Sequence, residues 1–205
     1  MRRNASYYRV LPFLLLFFAA GTETRGQYVV EPLPFSSRVF NDFSPVYYRD
    51  GIVFCSDRRT SILQGYVANE SNQAQLELFV SKKEGEEGWT FPSYFAEELR
   101  SIKFEGPVAF SPDLNTIYFT RNYDVQGRKN RKSGNPNYGI FISLFEDGRW
   151  TAPEPFVYND PVSKTGHPAI SPDGSRLYFA SDQAGGFGGS DLYVCKLENG
   201  SWGRP

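Results

Sequence analysis

Histidine and cysteine, the residue types most often used for catalysis and metal binding, are scarce in this chain. His167 is the only histidine, and Cys55 and Cys195 are the only cysteines. A Ser-His-Asp triad needs a nucleophile beside its base, and the sequence contains no G-x-S-x-G turn. The positions of the two cysteines and the histidine match no zinc or iron–sulfur spacing. The sequence therefore predicts no catalytic residue, no metal ligand and no cofactor.

Two other segments have the composition of ligand-binding loops. Residues 185–189 are rich in glycine, but a phosphate cradle opens directly into a helix, and residues 191–194 have the pattern of a strand. Ser171-Pro172-Asp173-Gly174 is similar to the aspartate box of sialidases but lacks the tryptophan that follows the glycine there. We interpret the first segment as a connection between strands. We interpret the second as a tight turn, because Pro presets φ and Gly tolerates the closing position.

A basic run is the third candidate. Residues 128–132 hold four cations in five positions. We expect a solvated loop here, as part of an exposed insertion at residues 127–136. An anion-binding or partner-binding loop is the alternative, since insertions in repeat proteins often lie on one face. The formal net charge of −1 gives no reason to expect a nucleic acid or an acidic membrane as a partner.

The N-terminus has the layout of a secretory signal peptide. Arg2, Arg3 and Arg9 accompany an apolar run at residues 10–20, and small and polar residues follow. The run is too short to cross a bilayer, which needs about 20 residues; a buried strand is the alternative. We expect residues 1–26 to be a Sec-type signal that is removed on export. The mature protein would then have no membrane span and would lie in the periplasm or at the outer membrane.

The rest of the chain repeats with a period of about 60 residues, within the long-period range of repeat architectures. Three similar segments each contain a proline, and each of the three tryptophans lies in a W-x-x-P motif. A turn with an S-P-D sequence follows the proline in the second and third segments. The markers of the repeat are Pro45, Pro107, Pro168, Asp113, Asp173, Gly174, Trp89, Trp150 and Trp202.

Each unit has the pattern of four short antiparallel strands, which predicts a propeller blade. We place the units at residues 43–95, 105–156 and 166–205, after an N-terminal segment at residues 27–42. A helical turn is a candidate at residues 94–102. Cys55 and Cys195 fall in different units and on different strands. Export would permit a disulfide, but we expect two free, buried cysteines.

At these residues the chain resembles the WD40-like (PD40), TolB-type propeller repeat. The third unit follows that pattern nearly throughout, from His167 to Tyr193. The second departs at Leu114, where Gly is usual, and the first has Tyr48-Arg49-Asp50-Gly51 in place of the S-P-D turn. More narrowly, the chain resembles the propeller region of OmpA-family envelope proteins associated with type IX secretion. That resemblance implies a non-catalytic module that binds envelope proteins or cell-wall glycan. The propeller of an exported peptidase or glycosidase is the alternative.

Known propellers close with about 4–8 blades, and three units are present here. We therefore expect an open arc that is part of a larger propeller, with exposed apolar faces that favour association. Residues 28–35 resemble residues 151–156, which follow a W-x-x-P tryptophan. The N-terminal segment is thus a candidate for the outer strand of a closing blade.

Overall fold

The structure, a computed structural model, describes residues 29–58, 75–86, 88–101, 105–123 and 137–205. Contacts divide the chain into residues 1–32 and residues 33–205, and every element below belongs to the second unit. The described residues form strands and one 3-10 turn, Glu97–Leu99, so the fold is all-β, as predicted. That turn lies where the sequence suggested a helical one. The predicted signal peptide and the basic insertion at residues 127–136 lie outside the described residues.

The strands form three antiparallel sheets in chain order, and each sheet has the topology of a propeller blade. Blade 1 comprises β1 (Asp42–Tyr48), β2 (Gly51–Ser56), β3 (Glu77–Glu84), β4 (Gly88–Trp89) and β5 (Ser93–Tyr94). Blade 2 comprises β6 (Glu105–Phe110), β7 (Thr116–Tyr123), β8 (Asn137–Glu146), β9 (Arg149–Trp150) and β10 (Glu154–Pro155). Blade 3 comprises β11 (Thr165–Ile170), β12 (Arg176–Ser181), β13 (Asp191–Glu198) and β14 (Ser201–Trp202).

Successive blades pack face to face. Strands β1, β2 and β3 contact β6, and β11 contacts β6, β7 and β8. Side chains alternate along each strand, so every blade offers apolar residues to both neighbours. On β7, Ile117 and Phe119 lie in the core shared with blade 1, whereas Tyr118 lies in the core shared with blade 3. This arrangement confirms the predicted partial propeller of three four-stranded blades.

The fourth strand of blades 1 and 2 is broken at the W-x-x-P motif. The tryptophan strand and the strand that follows the proline both pair with the same third strand, as β9 and β10 do with β8. A threonine side chain bridges the break: Leu144 N donates to Thr151 Oγ1 at 3.0 Å, and Ser143 Oγ donates to the Thr151 carbonyl at 2.7 Å. Because Pro lacks an N–H, it is tolerated only at such an interruption or at a sheet edge.

The strand register beside a β-bulge changes the alignment of two repeated prolines, Pro107 and Pro168, that the sequence suggested. The ladder places Ala109 opposite Tyr118 and Ala169 opposite Tyr178. Val108, rather than Pro107, is therefore the counterpart of Pro168. Pro107 is the counterpart of His167, which has a positive φ of 56° in the bulge. Proline cannot adopt a positive φ, so blade 2 makes its bulge with a different backbone conformation.

The S-P-D turns of blades 2 and 3 are built alike. Ser171 Oγ donates to Asp173 Oδ1 at 2.5 Å and accepts from Arg176 N at 3.0 Å. Gly174 closes the turn with φ of 72°, and Leu114 has a φ of 60° at the corresponding place in blade 2. Leucine there adopts a conformation that favours glycine, so the second turn keeps the backbone shape of the third although its sequence departs from the repeat at that residue.

Candidate functional site

A cleft of about 410 Å³ opens between blades 1 and 2. It lies where the turn between β1 and β2 approaches the turn between β8 and β9, and the 3-10 turn forms its third side. The blade interface positions all three segments. The cleft is therefore a consequence of how two repeats pack.

The floor of the cleft is aromatic. Tyr48 packs edge-on against Phe95, with 5.1 Å between ring centres, and Phe145 packs edge-on against Trp150 at 5.3 Å. Trp150 is the W-x-x-P tryptophan of blade 2, and Phe95 follows the corresponding motif of blade 1. Burial raises the pKa of Tyr48, although the charge of Arg49 opposes the shift, so the phenol stays neutral at ordinary pH.

Three cations, Arg49, Lys82 and Arg149, line the cleft together with three acidic residues, Asp50, Glu97 and Glu98. Tyr48 pairs with Gly51, so Arg49 and Asp50 form a two-residue turn where blades 2 and 3 have the S-P-D turn. Arg49 has a positive φ of 50°, and its guanidinium carbon lies 4.6 Å from the ring centre of Phe145. A positive φ is uncommon for a non-glycine residue, although Asp147 and Asn199, in the turns before β9 and β14, have the same φ of 50°.

The charges around the cleft are only partly neutralised by one another. Glu97 accepts from Arg100 at 2.8 Å, and Arg100 also binds Glu77 at 2.8 Å. Within the described parts of the chain, no carboxylate lies within 4 Å of the charged nitrogens of Arg49, Lys82 or Arg149. An aromatic floor with unpaired cations at the rim is suited to bind a carboxylate that is attached to an apolar group.

Two buried ion pairs lie at the opposite edge, where each first strand begins. In blade 2, Arg121 Nη2 lies 2.6 Å from Glu105 Oε1, and Ser101 Oγ also donates to that oxygen at 3.2 Å. Burial raises the pKa of Glu105 to about 7, against the opposing charge of Arg121. In blade 1, Arg58 Nη2 lies 2.6 Å from Asp42 Oδ2. There the hydrogen bonds from Arg58 and Ser56 outweigh burial and lower the pKa of Asp42.

The residues that the sequence singled out for chemistry do not converge. His167 is exposed on β11, and its backbone N–H donates to Thr120 Oγ1 of blade 2 at 2.9 Å. In the glycine-rich loop, Gly188 N donates to Asp191 Oδ2 at 3.0 Å, and β13 begins at Asp191. Hydrogen bonds from Ser171 and Ser175 lower the pKa of Asp173 to about 2, so that carboxylate braces its own turn.

The cysteines and tryptophans belong to the framework of the blades. Cys55 and Cys195 are both free and buried. Each tryptophan is the second residue of a two-residue strand, and it pairs with the corresponding position of the third strand in its blade. These partners are Lys83 for Trp89, Phe145 for Trp150 and Leu197 for Trp202. Of the three tryptophans, Trp150 alone lines the cleft.

Sequence reasoning missed the cations of the cleft. The available signal was the departure of the first unit from the S-P-D turn, which places Arg49 on the interface with blade 2. Lys82 and Arg149 lie on separate strands of different blades and carry no motif. The pair Glu105 and Arg121 was also missed, because its two positions are occupied by Thr165 and Ser181 in blade 3.

Comparisons with known proteins leave the family of the chain open. No family model matches it, and no curated protein matches it. Among solved structures it is similar to a puromycin-hydrolysing peptidase from Mycobacterium tuberculosis, with 15% identity and a TM-score of 0.46. It is also similar to TolB from Acinetobacter baumannii, with 17% identity and a TM-score of 0.41. Each match covers 80% of this chain, but 23% of the peptidase and 32% of TolB.

At such TM-scores these similarities carry no argument about function. The chain spans about a quarter to a third of the two proteins it matches. The propeller architecture described above follows from the three sheets of the chain itself. Among the described residues, no helix is both long and apolar enough to cross a membrane.

Proposed function

We propose that this protein is an exported, non-catalytic propeller module of the cell envelope that binds a polypeptide partner in the cleft between blades 1 and 2. The observation that carries the proposal is the set of cations around an aromatic floor. The envelope location is supported by the signal-like N-terminus and by the resemblance of the repeats to envelope propellers. The expected ligand is a carboxylate next to an apolar side chain, as at the C-terminus of a protein.

The geometry of the rim supports binding rather than catalysis. Arg49 stacks on Phe145 at 4.6 Å and on Tyr48 at 5.1 Å, which holds the guanidinium near the floor. A guanidinium binds a carboxylate through parallel hydrogen bonds, and the apolar group of the same ligand can contact the rings. The cleft is within the range of about 300–1,000 Å³ that is usual for ligand pockets.

Calorimetric titration with short peptides tests this proposal. The probe is acetyl-Ala-Ala-Phe with a free C-terminal carboxylate, and its C-terminal amide is the matched control ligand. We expect the acid to bind and the amide to bind at least about tenfold more weakly, since a charge-assisted hydrogen bond is lost. Arg49→Ala should weaken binding of the acid, whereas Arg176→Ala, which removes an exposed cation of blade 3, should not.

Three results would count against the cleft. The amide could bind as well as the acid, the two arginine variants could weaken binding equally, or no binding could appear at millimolar peptide. Binding of cell-wall glycan fragments that is unaffected by Arg49→Ala would place the function on another surface. Export is tested separately, by fusing residues 1–27 to a reporter enzyme that is active only outside the cytoplasm. An inactive fusion would remove the envelope location.

A further inference from the structure

The side of the cleft that the 3-10 turn forms is acidic, whereas the other two sides carry its cations. Glu97 and Glu98 lie in that turn and line the cleft. The cations lie in the turn between β1 and β2, on β3 and at the start of β9: Arg49, Lys82 and Arg149. Asp50, beside Arg49 in the sequence, is the third acid of the lining. The cleft therefore presents opposite charges on different sides of one aromatic floor.

The interface between blades 1 and 2 fixes the 3-10 turn. Leu99, its last residue, is 1% exposed and lies in the core that the two blades share. The carbonyl of Leu99 accepts a hydrogen bond from Arg121 Nη2 of β7. Because both the side chain and the carbonyl of Leu99 are anchored, the turn holds its two glutamates at a defined edge of the cleft.

One of these two glutamates is neutralised by a neighbour in sequence. Glu97 Oε2 accepts from Arg100 Nη1 at 2.8 Å, and Arg100 also binds Glu77 at 2.8 Å. The guanidinium carbon of Arg100 lies 3.6 Å from the ring centre of Tyr94. Glu98 is exposed, and within the described ranges no cation lies within 4 Å of its carboxylate. Glu98 is therefore the carboxylate of the turn that is available to a cation of a ligand.

The spacing of an extended peptide decides which of its side chains could meet Glu98. In the binding mode proposed above, the terminal carboxylate binds Arg49 and the terminal side chain contacts the aromatic floor. Successive side chains point to opposite sides of an extended chain, so the residue two before the last shares the side of the last one, about 7 Å away. A lysine at that position carries its ammonium on a flexible four-carbon stem, which lets the charge reach the edge of the cleft.

We infer that the cleft selects polypeptide C-termini that have a lysine or arginine two residues before the last residue, and that Glu98 selects this cation. The inference rests on the binding of a C-terminal carboxylate that is proposed above. Its basis is charge complementarity, because the carboxylate and the cation of such a ligand match the basic and acidic sides of the cleft. A glutamate at the same ligand position is disfavoured by repulsion from Glu98.

Calorimetric titration of the full chain with four peptides at low salt tests the inference. Acetyl-Ala-Ala-Phe is the reference, and acetyl-Lys-Ala-Phe should bind about fivefold more tightly, as expected for one exposed ion pair. Acetyl-Glu-Ala-Phe should bind about fivefold more weakly than the reference. Acetyl-Ala-Lys-Phe has the same charge as acetyl-Lys-Ala-Phe, but its lysine points away from the cleft. Its affinity should stay within about twofold of the reference.

Two glutamine variants locate the selection within the cleft. Glu98→Gln should bind acetyl-Lys-Ala-Phe and acetyl-Ala-Ala-Phe equally, with the affinity for the latter within about twofold of the wild type. Glu198→Gln is the matched control, since Glu198 is an exposed glutamate at the end of β13 in blade 3. It makes the same change in charge and should keep the fivefold preference. This control separates a contact in the cleft from the general attraction of a cationic peptide to the chain.

The outcomes distinguish this inference from the proposed function. Binding of acetyl-Ala-Ala-Phe without any preference for acetyl-Lys-Ala-Phe would overturn the inference and leave the proposed function standing. A preference that persists in Glu98→Gln, or that Glu198→Gln also removes, would overturn it in the same way. Tighter binding of acetyl-Ala-Lys-Phe than of acetyl-Lys-Ala-Phe would contradict the position assigned to the cation. If none of the four peptides binds at millimolar concentration, the proposed function and the inference both fail.

Discussion

Replacing Glu105 with Gln is expected to remove a pH dependence of stability that burial of this carboxyl creates. Glu105 is 1% exposed, and burial raises its pKa from 4.5 to about 7 despite Arg121. Between these pH values the folded protein holds a proton that the unfolded chain has released. The contribution of Glu105 to the free energy of unfolding is therefore fully present below pH 4.5 and is lost as pH rises through 7.

The size of the effect follows from the two pKa values of Glu105. Each pH unit between 4.5 and about 7 changes the free energy of unfolding by at most about 1.4 kcal/mol. The upper bound for this one carboxyl is therefore about 3 kcal/mol. That is a large part of the stability of a typical domain, which is about 5–15 kcal/mol. The Gln variant cannot titrate, so this contribution should be absent at every pH.

Urea unfolding followed by tryptophan fluorescence at pH 4.5, 5.5, 6.5 and 7.5 measures the effect. The wild type should lose stability across this range, and Glu105→Gln should be nearly flat. Asp42→Asn is the matched control, because Asp42 also pairs with a buried arginine but its pKa is lowered. The stability contributed by Asp42 is lost only as pH falls below about 4, so its variant should keep the wild-type slope. A wild-type stability that rises with pH, or an unchanged slope in Glu105→Gln, would refute the argument.

Three further variants or measurements test the repeat. Gly174→Ala should destabilise the protein by about 1 kcal/mol, because φ is 72° and the added Cβ would lie 3.2 Å from Pro112. Urea unfolding measures this change, and a gain of stability would contradict the prediction. Thr151→Val should cost about 1 kcal/mol in the same assay, since it removes the acceptor of a backbone N–H in β8; an unchanged midpoint would argue against that bridge. Burial raises the pKa of Cys55 to about 12 and that of Cys195 to about 11. Both thiols should therefore resist a disulfide reagent at pH 8 until urea unfolds the chain. Fast reaction of the folded protein would show that the thiols are not buried.

The fold was predictable from the sequence because the repeat marks the same local events in successive units. Trp in W-x-x-P and the S-P-D turn are short-range signals, and each specifies a strand end whatever the neighbouring blade contains. The all-β class and the four-strand blades follow from those signals. The break in the fourth strand was not predictable, because it depends on a side-chain contact. At the break, the backbone N–H of Leu144 in β8 donates to Thr151 Oγ1 instead of to a backbone carbonyl of the fourth strand.

The cleft was not predictable, because its residues meet only through packing of two blades. Tyr48 and Trp150 are about 100 residues apart in the sequence, yet their ring centres lie 6.2 Å apart. Alignment of the repeats also obscured the site. Arg49 stands where the other blades have the S-P-D turn, so the repeat identifies it only as a mismatch. A repeat defines the scaffold by what its units share, whereas a binding site depends on where they differ.

Not every difference between units indicates a binding site, and one pair of differences in blade 3 shows why. In blades 1 and 2 a serine of the third strand, Ser81 or Ser143, donates to the carbonyl of the threonine after the tryptophan at 2.7 Å. Blade 3 has Cys195 at the serine position and Gly203 at the threonine position, and Gly203 N still donates to Lys196 O at 2.8 Å. Because blade 3 has a cysteine at the serine position, no buried hydroxyl there needs that carbonyl as an acceptor. Arg49 differs from this case, because no carboxylate of the described chain lies within 4 Å of its charged nitrogens. A departure from the repeat that leaves a charge without an ionic partner is therefore the better indication of a site.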